Sequence, residues 1–348
     1  MCCHLAVRHT GLHQHAVRER QRFLPLSRRL SRRILSDSIK TEAVMLFRGG
    51  STLAKKFFAG FHCGGHRGSP RVAPENTIES FEKAKQSNVD LIEFDLSLTK
   101  DAVAIIMHDD DLERTCAEKT PVSALLAHEI VTKNAAKNFK FADGKQKICP
   151  VPTLEETVKY VRDSNLKMLF DVKDGSKEMI SQIVNVISKN NLYDQVIVSS
   201  FFAWVPYAVK KADPKILTGV TWRPYFFSYS DIENKHPRFT GLKHYLAVLL
   251  DWINVKMIHS FLPQFVGAEM VLTQERDING CFVDDMQKKN IQVVAWTVND
   301  QRQMMHFVDT LKVGGDFLFQ CCPHQVNYEV MMKVCIIYAL SELGWNIQ

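Results

Sequence analysis

The run Leu91-Ile92-Glu93-Phe94-Asp95-Leu96 sets two carboxylates two residues apart. On a β-strand such residues share one face, and Ile92, Phe94 and Leu96 share the other. If the apolar face packs on helices, Glu93 and Asp95 point inward together, which is costly without a neutralising partner. Either they sit in water at an open strand end, or they hold a cation. The run Lys167-Met168-Leu169-Phe170-Asp171-Val172-Lys173 repeats the logic and puts Asp171 and Lys173 on one face. A third carboxylate makes an all-oxygen site for Mg²⁺, or for Ca²⁺. Lys173 adds a positive charge suited to an anionic substrate. His66-Arg67-Gly68 follows one apolar run, and the run 103–107 leads directly into His108-Asp109. Two imidazoles titrating near neutrality can serve as general base and general acid. Arg67 can grip phosphate oxygens with its planar fork, and Gly64, Gly65 and Gly68 allow close backbone approach. Either histidine alone is more often structural. Gathered with three carboxylates at one set of strand ends, they describe metal-assisted hydrolysis of a phosphate ester. Monoester and diester are not distinguished by these residues.

Positioning such groups needs a frame. Apolar runs at 61–65, 91–96, 103–107, 167–172, 195–199, 216–220, 267–272, 292–296 and 316–319 read as strands. Helix starts lie between them: Asn76 with Glu79, a Thr153–Glu156 capping box, and others near Ser176, Asp277 and Asp300. Strand–helix alternation over ~250 residues predicts a parallel sheet, and eight such units close a (β/α)₈ TIM barrel with its chemistry at the C-terminal strand ends. Nine candidates for eight places make one of them an extra strand or a hairpin partner. Residues 111–150 read as a long irregular excursion. Residues 222–266 form an aromatic, apolar insertion late in the barrel. Its stretch 242–265 is broken by Lys243, Asp251 and Lys256, so it reads as a helix lying on a membrane surface or packed on the barrel.

Composition excludes other classes. Of 348 residues 46% are hydrophobic and 24% charged, as in soluble globular chains. No uncharged run has the ~20 residues of a spanning helix. The net charge of +6 is concentrated at one end: residues 1–60 hold 12 of the 44 basic and 3 of the 38 acidic residues. The remainder is mildly acidic, which argues against nucleic-acid binding. We therefore expect a basic N-terminal extension over 1–60, flexible or targeting, a barrel domain over 61–325 and a tail over 326–348. The nine cysteines are scattered without metal-site spacing and read mostly as reduced thiols.

Five motifs occur in order: His66-Arg67-Gly68, Ala73-Pro74-Glu75-Asn76-Thr77, Glu93-Phe94-Asp95, Met107-His108-Asp109 and Trp296-Thr297-Val298-Asn299. Together they resemble the glycerophosphodiester phosphodiesterase family over roughly residues 63–316. Within it, Phe170-Asp171-Val172-Lys173, Arg223-Pro224 and Leu250-Asp251-Trp252 resemble the animal, membrane-associated type. The resemblance implies a phosphoric diester hydrolase that cleaves glycerophosphodiesters, among them glycerophosphoinositol and glycerophospho-N-acylethanolamines, to glycerol 3-phosphate and an alcohol. It implies Mg²⁺ held by Glu93, Asp95 and Asp171. His66 and His108 would be the acid/base pair, and Arg67 and Lys173 would contact phosphate. Glu75 and Asn76 would shape the first loop and touch the glycerol or the metal shell, and Trp296 and Asn299 would line the pocket. It also implies a membrane-associated protein, at the plasma membrane or an endomembrane. The chain departs from the family where Gly315-Asp316 is followed by Phe317-Leu318-Phe319-Gln320 rather than Ile-Thr-Asp, and where an Arg-rich stretch replaces a hydrophobic N-terminal anchor. Rival readings are a lysophospholipase D-like activity on longer acyl substrates and a non-catalytic membrane scaffold.

Overall fold

In the computed structural model, which describes residues 52–61, 63–309 and 317–319, each of the nine apolar runs overlaps a strand. They are β1 (Cys63–His66), β2 (Leu91–Leu98), β3 (Ala104–Ile106), β6 (Lys167–Val172), β7 (Val196–Ser200), β8 (Leu217–Trp222), β9 (Met270–Gln274), β10 (Gln292–Trp296) and β11 (Phe317–Phe319). β4 (Asp111–Leu112) and β5 (Glu118–Pro121) form a separate small antiparallel pair. Eight strands run parallel and close on themselves: β1 pairs with β2, β2 with β6, and the order continues through β11, which returns to β1. This is the TIM barrel. The ninth candidate is the hairpin partner: β3 lies antiparallel to β2, with Leu96 opposite Ile106 and Leu98 opposite Ala104. β2 overshoots the barrel rim and β3 returns toward it.

The helices in chain order are α1 (Thr52–Phe58), α2 (Ile78–Gln86), α3 (Glu113–Cys116), α4 (Ala127–Ile130), α5 (Leu154–Asp163), α6 (Lys177–Asn190), α7 (Trp204–Ala212), α8 (Leu242–Ser260), α9 (Leu262–Phe265), α10 (Gly280–Lys288) and α11 (Gln301–Asp309). Capping explains several starts. Thr153 and Glu156 form the expected reciprocal box before α5, and Ser176 caps α6. Asp300 accepts from the amides of Arg302 and Gln303 at α11. Two expected starts move. Thr77, not Asn76, caps α2, because the Asn76 side chain is engaged elsewhere. Asn279 caps α10, since 275–277 is a separate turn of 3₁₀-helix.

Two apolar shells hold the barrel. Ile92, Phe94 and Leu96 point outward and pack with Phe170, Phe81 and Val158, so the opposite face of β2 is the inner one, as its alternation requires. Inside, Leu91, Leu169, Ile197, Leu217, Leu272 and Val294 form a floor, and Phe57 and Phe61 pack against it from below. Residues 52–60, grouped with the basic extension on composition, thus contribute a helix to the barrel bottom. The Lys167 ammonium lies 5.4 Å from the Phe57 ring and 5.9 Å from the Phe61 ring and donates to the Ala59 carbonyl. Residues 1–51 and the tail 326–348 lie outside the described residues. So do Gly315, Asp316 and Gln320. The backbone of 317–319 does form the last strand, with Cys63 opposite Phe317.

The late insertion becomes α8, 19 residues long. Only Ala247, Asp251 and Ile258 of it are buried. Asp251, which the sequence presents as a break in an apolar run, is instead the fastening. Its carboxylate accepts from the amides of Phe227 and Ser228 and from the Ser228 hydroxyl at 2.6–3.0 Å.

Candidate active site

β1, β2 and β6 are adjacent, and their register sets the site. His66 lies opposite Glu93, and Asp95 lies opposite Asp171. Inward-facing residues at the same height on neighbouring strands must meet, so three carboxylates from two strands converge at the C-terminal end of the barrel. One oxygen from each of Glu93, Asp95 and Asp171 lies within 4.8 Å of the others. All three side chains are buried, at 3%, 2% and 9% relative exposure.

The first loop folds around this cluster. Arg67 and Asn76 both adopt left-handed backbone, and Gly68 has φ 85°. A Cβ on Gly68 would stand 2.5 Å from the Ser80 hydroxyl, which accepts from the Ser69 amide and donates to the Arg67 carbonyl. The tight turn aims the Arg67 amide at Glu93 Oε2, 2.7 Å away. The Arg67 guanidinium pairs with Glu75 at 3.0 Å and stands 3.2 Å from Asp95 Oδ2. Asn76 grips Asp95 twice: its Nδ2 donates to Oδ2 at 2.8 Å, and its Oδ1 accepts from the Asp95 amide.

Electrostatics sort the carboxylates. Burial raises Asp95, but Arg67, His108, Lys173 and the Asn76 amide outweigh it and hold Asp95 below the usual carboxylate range. Burial, with the charge of Asp95, pushes Asp171 up to about 7. Burial, Asp95 and Asp171 push Glu93 well above its ordinary value. Asp171 Oδ1 is buried without a hydrogen-bond partner. An unpartnered carboxylate oxygen beside two further carboxylates fits a hard divalent cation, which takes oxygen ligands and would relieve the repulsion. Burial, then Arg67, lowers His66 to about 3, so its imidazole is neutral; its Nε2 is 4.0 Å from Glu93 and its Nδ1 has no hydrogen-bond partner.

His108 arrives by the hairpin. The antiparallel return of β3 brings the Met107 amide onto the Asp95 carbonyl at 3.0 Å, and Lys173 Nζ donates to the His108 carbonyl. Nine of the expected residues therefore gather here: His66, Arg67, Glu75, Asn76, Glu93, Asp95, His108, Asp171 and Lys173. Trp296 belongs to another wall of the same mouth. Its indole N–H donates to the Leu272 carbonyl and its ring meets Phe201 edge-on at 5.7 Å. Phe201 stacks on Phe226 at 4.7 Å, Phe226 meets Phe202 at 5.8 Å, and Phe202 stacks on Trp204 at 4.6 Å. These rings follow β7 and β8 and form an aromatic side facing out to Trp204, which is 59% exposed. Asn299 is exposed, three residues past Trp296.

Sequence reasoning missed Arg114. Its guanidinium donates to both oxygens of Glu75 at 2.7 and 2.8 Å and to both oxygens of Asp109 at 2.6 and 3.1 Å. Asp109 Oδ1 lies 2.6 Å from His108 Nδ1. Burial raises Asp109, but hydrogen bonds from His108 and Arg114 hold it well below the usual range. Glu75 is lowered in the same way by Arg114 and Arg67 against its burial. Asp109 sits within a quoted motif, but Glu75 is 39 residues from Arg114, and no local spacing reveals the bridge.

Comparison with known proteins follows the same lines. The model of the glycerophosphoryl diester phosphodiesterase family matches residues 66–317. Human glycerophosphodiester phosphodiesterase 1 is 28% identical over 268 residues, 74% of this chain and 79% of that protein. Its bovine counterpart is 31% identical over 269 residues, 74% and 78% of the two chains. The structure of an Oleispira antarctica phosphodiesterase in complex with the product sn-glycerol-3-phosphate superposes with a TM-score of 0.60 at 19% identity, covering 80% of this chain and 99% of that one.

Proposed function

Since the chain belongs to the glycerophosphoryl diester phosphodiesterase family, whose members are phosphoric diester hydrolases, we propose that it cleaves glycerophosphodiesters at the site built on β1, β2 and β6. The observation that carries this is the buried Glu93–Asp95–Asp171 cluster, with one Asp171 oxygen unpartnered, one imidazole at the end of β1 and another just after β3. These three carboxylates would hold Mg²⁺, with Ca²⁺ as the alternative, and the bound ion would polarise the phosphoryl group. Arg67 and Lys173 would hold phosphate oxygens and the charge that develops on them. Glu75 and Asn76 act from behind: Asn76 fixes Asp95, and Glu75 fixes Arg67.

The residues fit a two-step route. One histidine takes the proton of the glycerol hydroxyl as that oxygen attacks phosphorus. The other gives a proton to the departing alcohol oxygen as its bond to phosphorus breaks. Water then opens the cyclic phosphate with the two proton roles reversed, and glycerol 3-phosphate leaves. Trp296 and Asn299 would line the pocket on the leaving-group side. The aromatic side running from Trp296 to Trp204 favours an alcohol that carries an acyl chain, as in glycerophospho-N-acylethanolamines, over the polyol of glycerophosphoinositol. It also suits the lysophospholipase D-like reading.

Purified protein in Mg²⁺ should release glycerol 3-phosphate from glycerophosphoinositol and from a glycerophospho-N-acylethanolamine, and a lysophospholipid would instead yield the acylated glycerol phosphate; each rate should fall at least ~10²-fold with EDTA. The N-acylethanolamine diester should give the highest kcat/KM. EDTA-insensitive turnover would refute the metal site. No turnover of any substrate by folded protein would favour the scaffold reading.

We also propose that α8 rests on a membrane surface. Leu242, Tyr245, Leu246, Leu249, Leu250 and Trp252 are each more than half exposed on a helix that leaves β8 at the catalytic end of the barrel. Lys243 and Lys256 are exposed beside them, as on interfacial helices. No helix among the described residues is long and apolar enough to cross a bilayer. Phosphatidylcholine vesicles should sediment the protein, and Leu246→Glu with Leu250→Glu should weaken that binding at least ~10-fold. Unchanged sedimentation would exclude the helix as the contact. The division into a basic extension, a barrel and a C-terminal tail is retained as a proposal, with the barrel beginning at residue 52.

A further inference from the structure

We propose that Arg114 is a positioning residue for the diester hydrolysis proposed above, locking the loop that carries Arg67 to the loop that carries His108 and fixing the His108 tautomer through Asp109. The inference rests on that reading of the site.

Arg114 stands on the four-residue helix α3 and its side chain is 49% exposed. A single exposed ion pair would matter little. Here one planar fork satisfies two carboxylates at once: Glu75 from the loop after β1 and Asp109 from the segment after β3. Each carboxylate has a second duty. Glu75 holds the Arg67 guanidinium at 3.0 Å, beside Asp95. Asp109 faces His108 Nδ1 at 2.6 Å. An aspartate at that nitrogen keeps the proton on Nδ1 and leaves Nε2 for proton exchange with substrate. His66 has no such orienting partner, since its Nδ1 is unpaired. Without Arg114, Asp109 loses two of its three side-chain hydrogen bonds, and Glu75 loses two of its three. The reacting groups would then be present but less often aligned. Lysine is no substitute, because a single ammonium cannot present a rigid fork to two carboxylates.

The test compares full-length wild type with Arg114→Met, Arg114→Lys, Asp109→Asn and the Met/Asn double variant, using a glycerophospho-N-acylethanolamine and glycerophosphoinositol with Mg²⁺. Arg114→Met should lower kcat by ~10²-fold with KM within about threefold, as removal of an orienting partner does. Arg114→Lys should recover only part of that loss. The double variant should be no slower than the slower single one, because the two residues act as one unit. The downfield Nδ1 proton resonance of His108 should be present in wild type and absent in Arg114→Met, a signal that a purely structural role would not move. A loss confined to KM would overturn the proposal and make Arg114 a substrate contact. Additive losses, or full activity in Arg114→Met beside active wild type, would overturn it as well. Inactive folded wild type would overturn the phosphodiesterase reading, and this role with it.

Discussion

Asp171→Asn is expected to lower turnover by ~10³-fold while making the metal-free protein more stable at pH 8. The opposite signs follow from one fact. Asp171 is buried beside Asp95, with an oxygen that nothing among the described residues satisfies, so its charge is tolerated for function and not for folding. Its acid group is pushed up to about 7 by burial and by Asp95, above the value of ~4 expected for the unfolded chain. The folded state therefore binds more protons than the unfolded state between these values. For such a group the stability present below pH ~4 is lost as the pH rises through 7. Three pKa units bound the effect at roughly 4 kcal/mol, and Glu93, raised by the same neighbours, acts in the same direction. In EDTA the wild-type melting temperature should fall between pH 5 and pH 8, and that of the neutral, similarly sized Asn variant should fall less. Mg²⁺ should raise the wild-type melting temperature at pH 8 much more than the variant's. Near-normal turnover by the variant, or a lower melting temperature than wild type in EDTA at pH 8, would show that this cluster is not a strained cation site.

The second large effect lies at the other end of the barrel. Phe57→Ala should cost about 3–5 kcal/mol of stability with kcat and KM of the folded enzyme unchanged. Phe57 is fully buried and closes the interior floor formed by Leu91, Leu169, Ile197 and Leu217. Removing the ring leaves a cavity that rigid strands cannot collapse to fill. The reacting groups are far from it: Asp95 stands four residues beyond Leu91, ~13 Å along the strand. Urea unfolding would read the loss, and turnover measured well below the transition would show the intact site. A change under about 1 kcal/mol would mean that α1 is not part of the barrel. By the same argument, removal of residues 1–51 should spare the fold, and removal through residue 60 should not.

Much of this architecture was legible because it depends on local periodicity. Alternation along 91–96 separates Glu93 and Asp95 from Ile92, Phe94 and Leu96 whatever the strand is paired with. Thr153 and Glu156 cap a helix through contacts three residues apart. Other features were not legible for equally physical reasons. The run at 103–107 reads as one more barrel strand, and only its register against Leu96 and Leu98 makes it an antiparallel return. Asn76 is a good cap by residue type, but its amide is spent on Asp95, so Thr77 takes the cap. Residues 52–60 share a basic neighbourhood with the Arg-rich segment, and composition could not reveal that Phe57 is a floor residue. Asp251 looks like an interruption until the amides of Phe227 and Ser228 are seen to need it.

The division is between residue types at short spacing and the meeting of distant segments. By itself the sequence determined which residues carry charge, acid–base capacity and phosphate affinity, and which face of each strand they occupy, since these follow from covalent chemistry and a two-residue repeat. Only the tertiary structure decided that Asp95 and Asp171 stand side by side, that the Asp171 carboxylate has an unpartnered oxygen, and that Arg114 bridges Glu75 and Asp109. Those relations are set by strand register and loop closure across tens of residues, where burial and mutual charge determine how each group ionises and to which partner it is held.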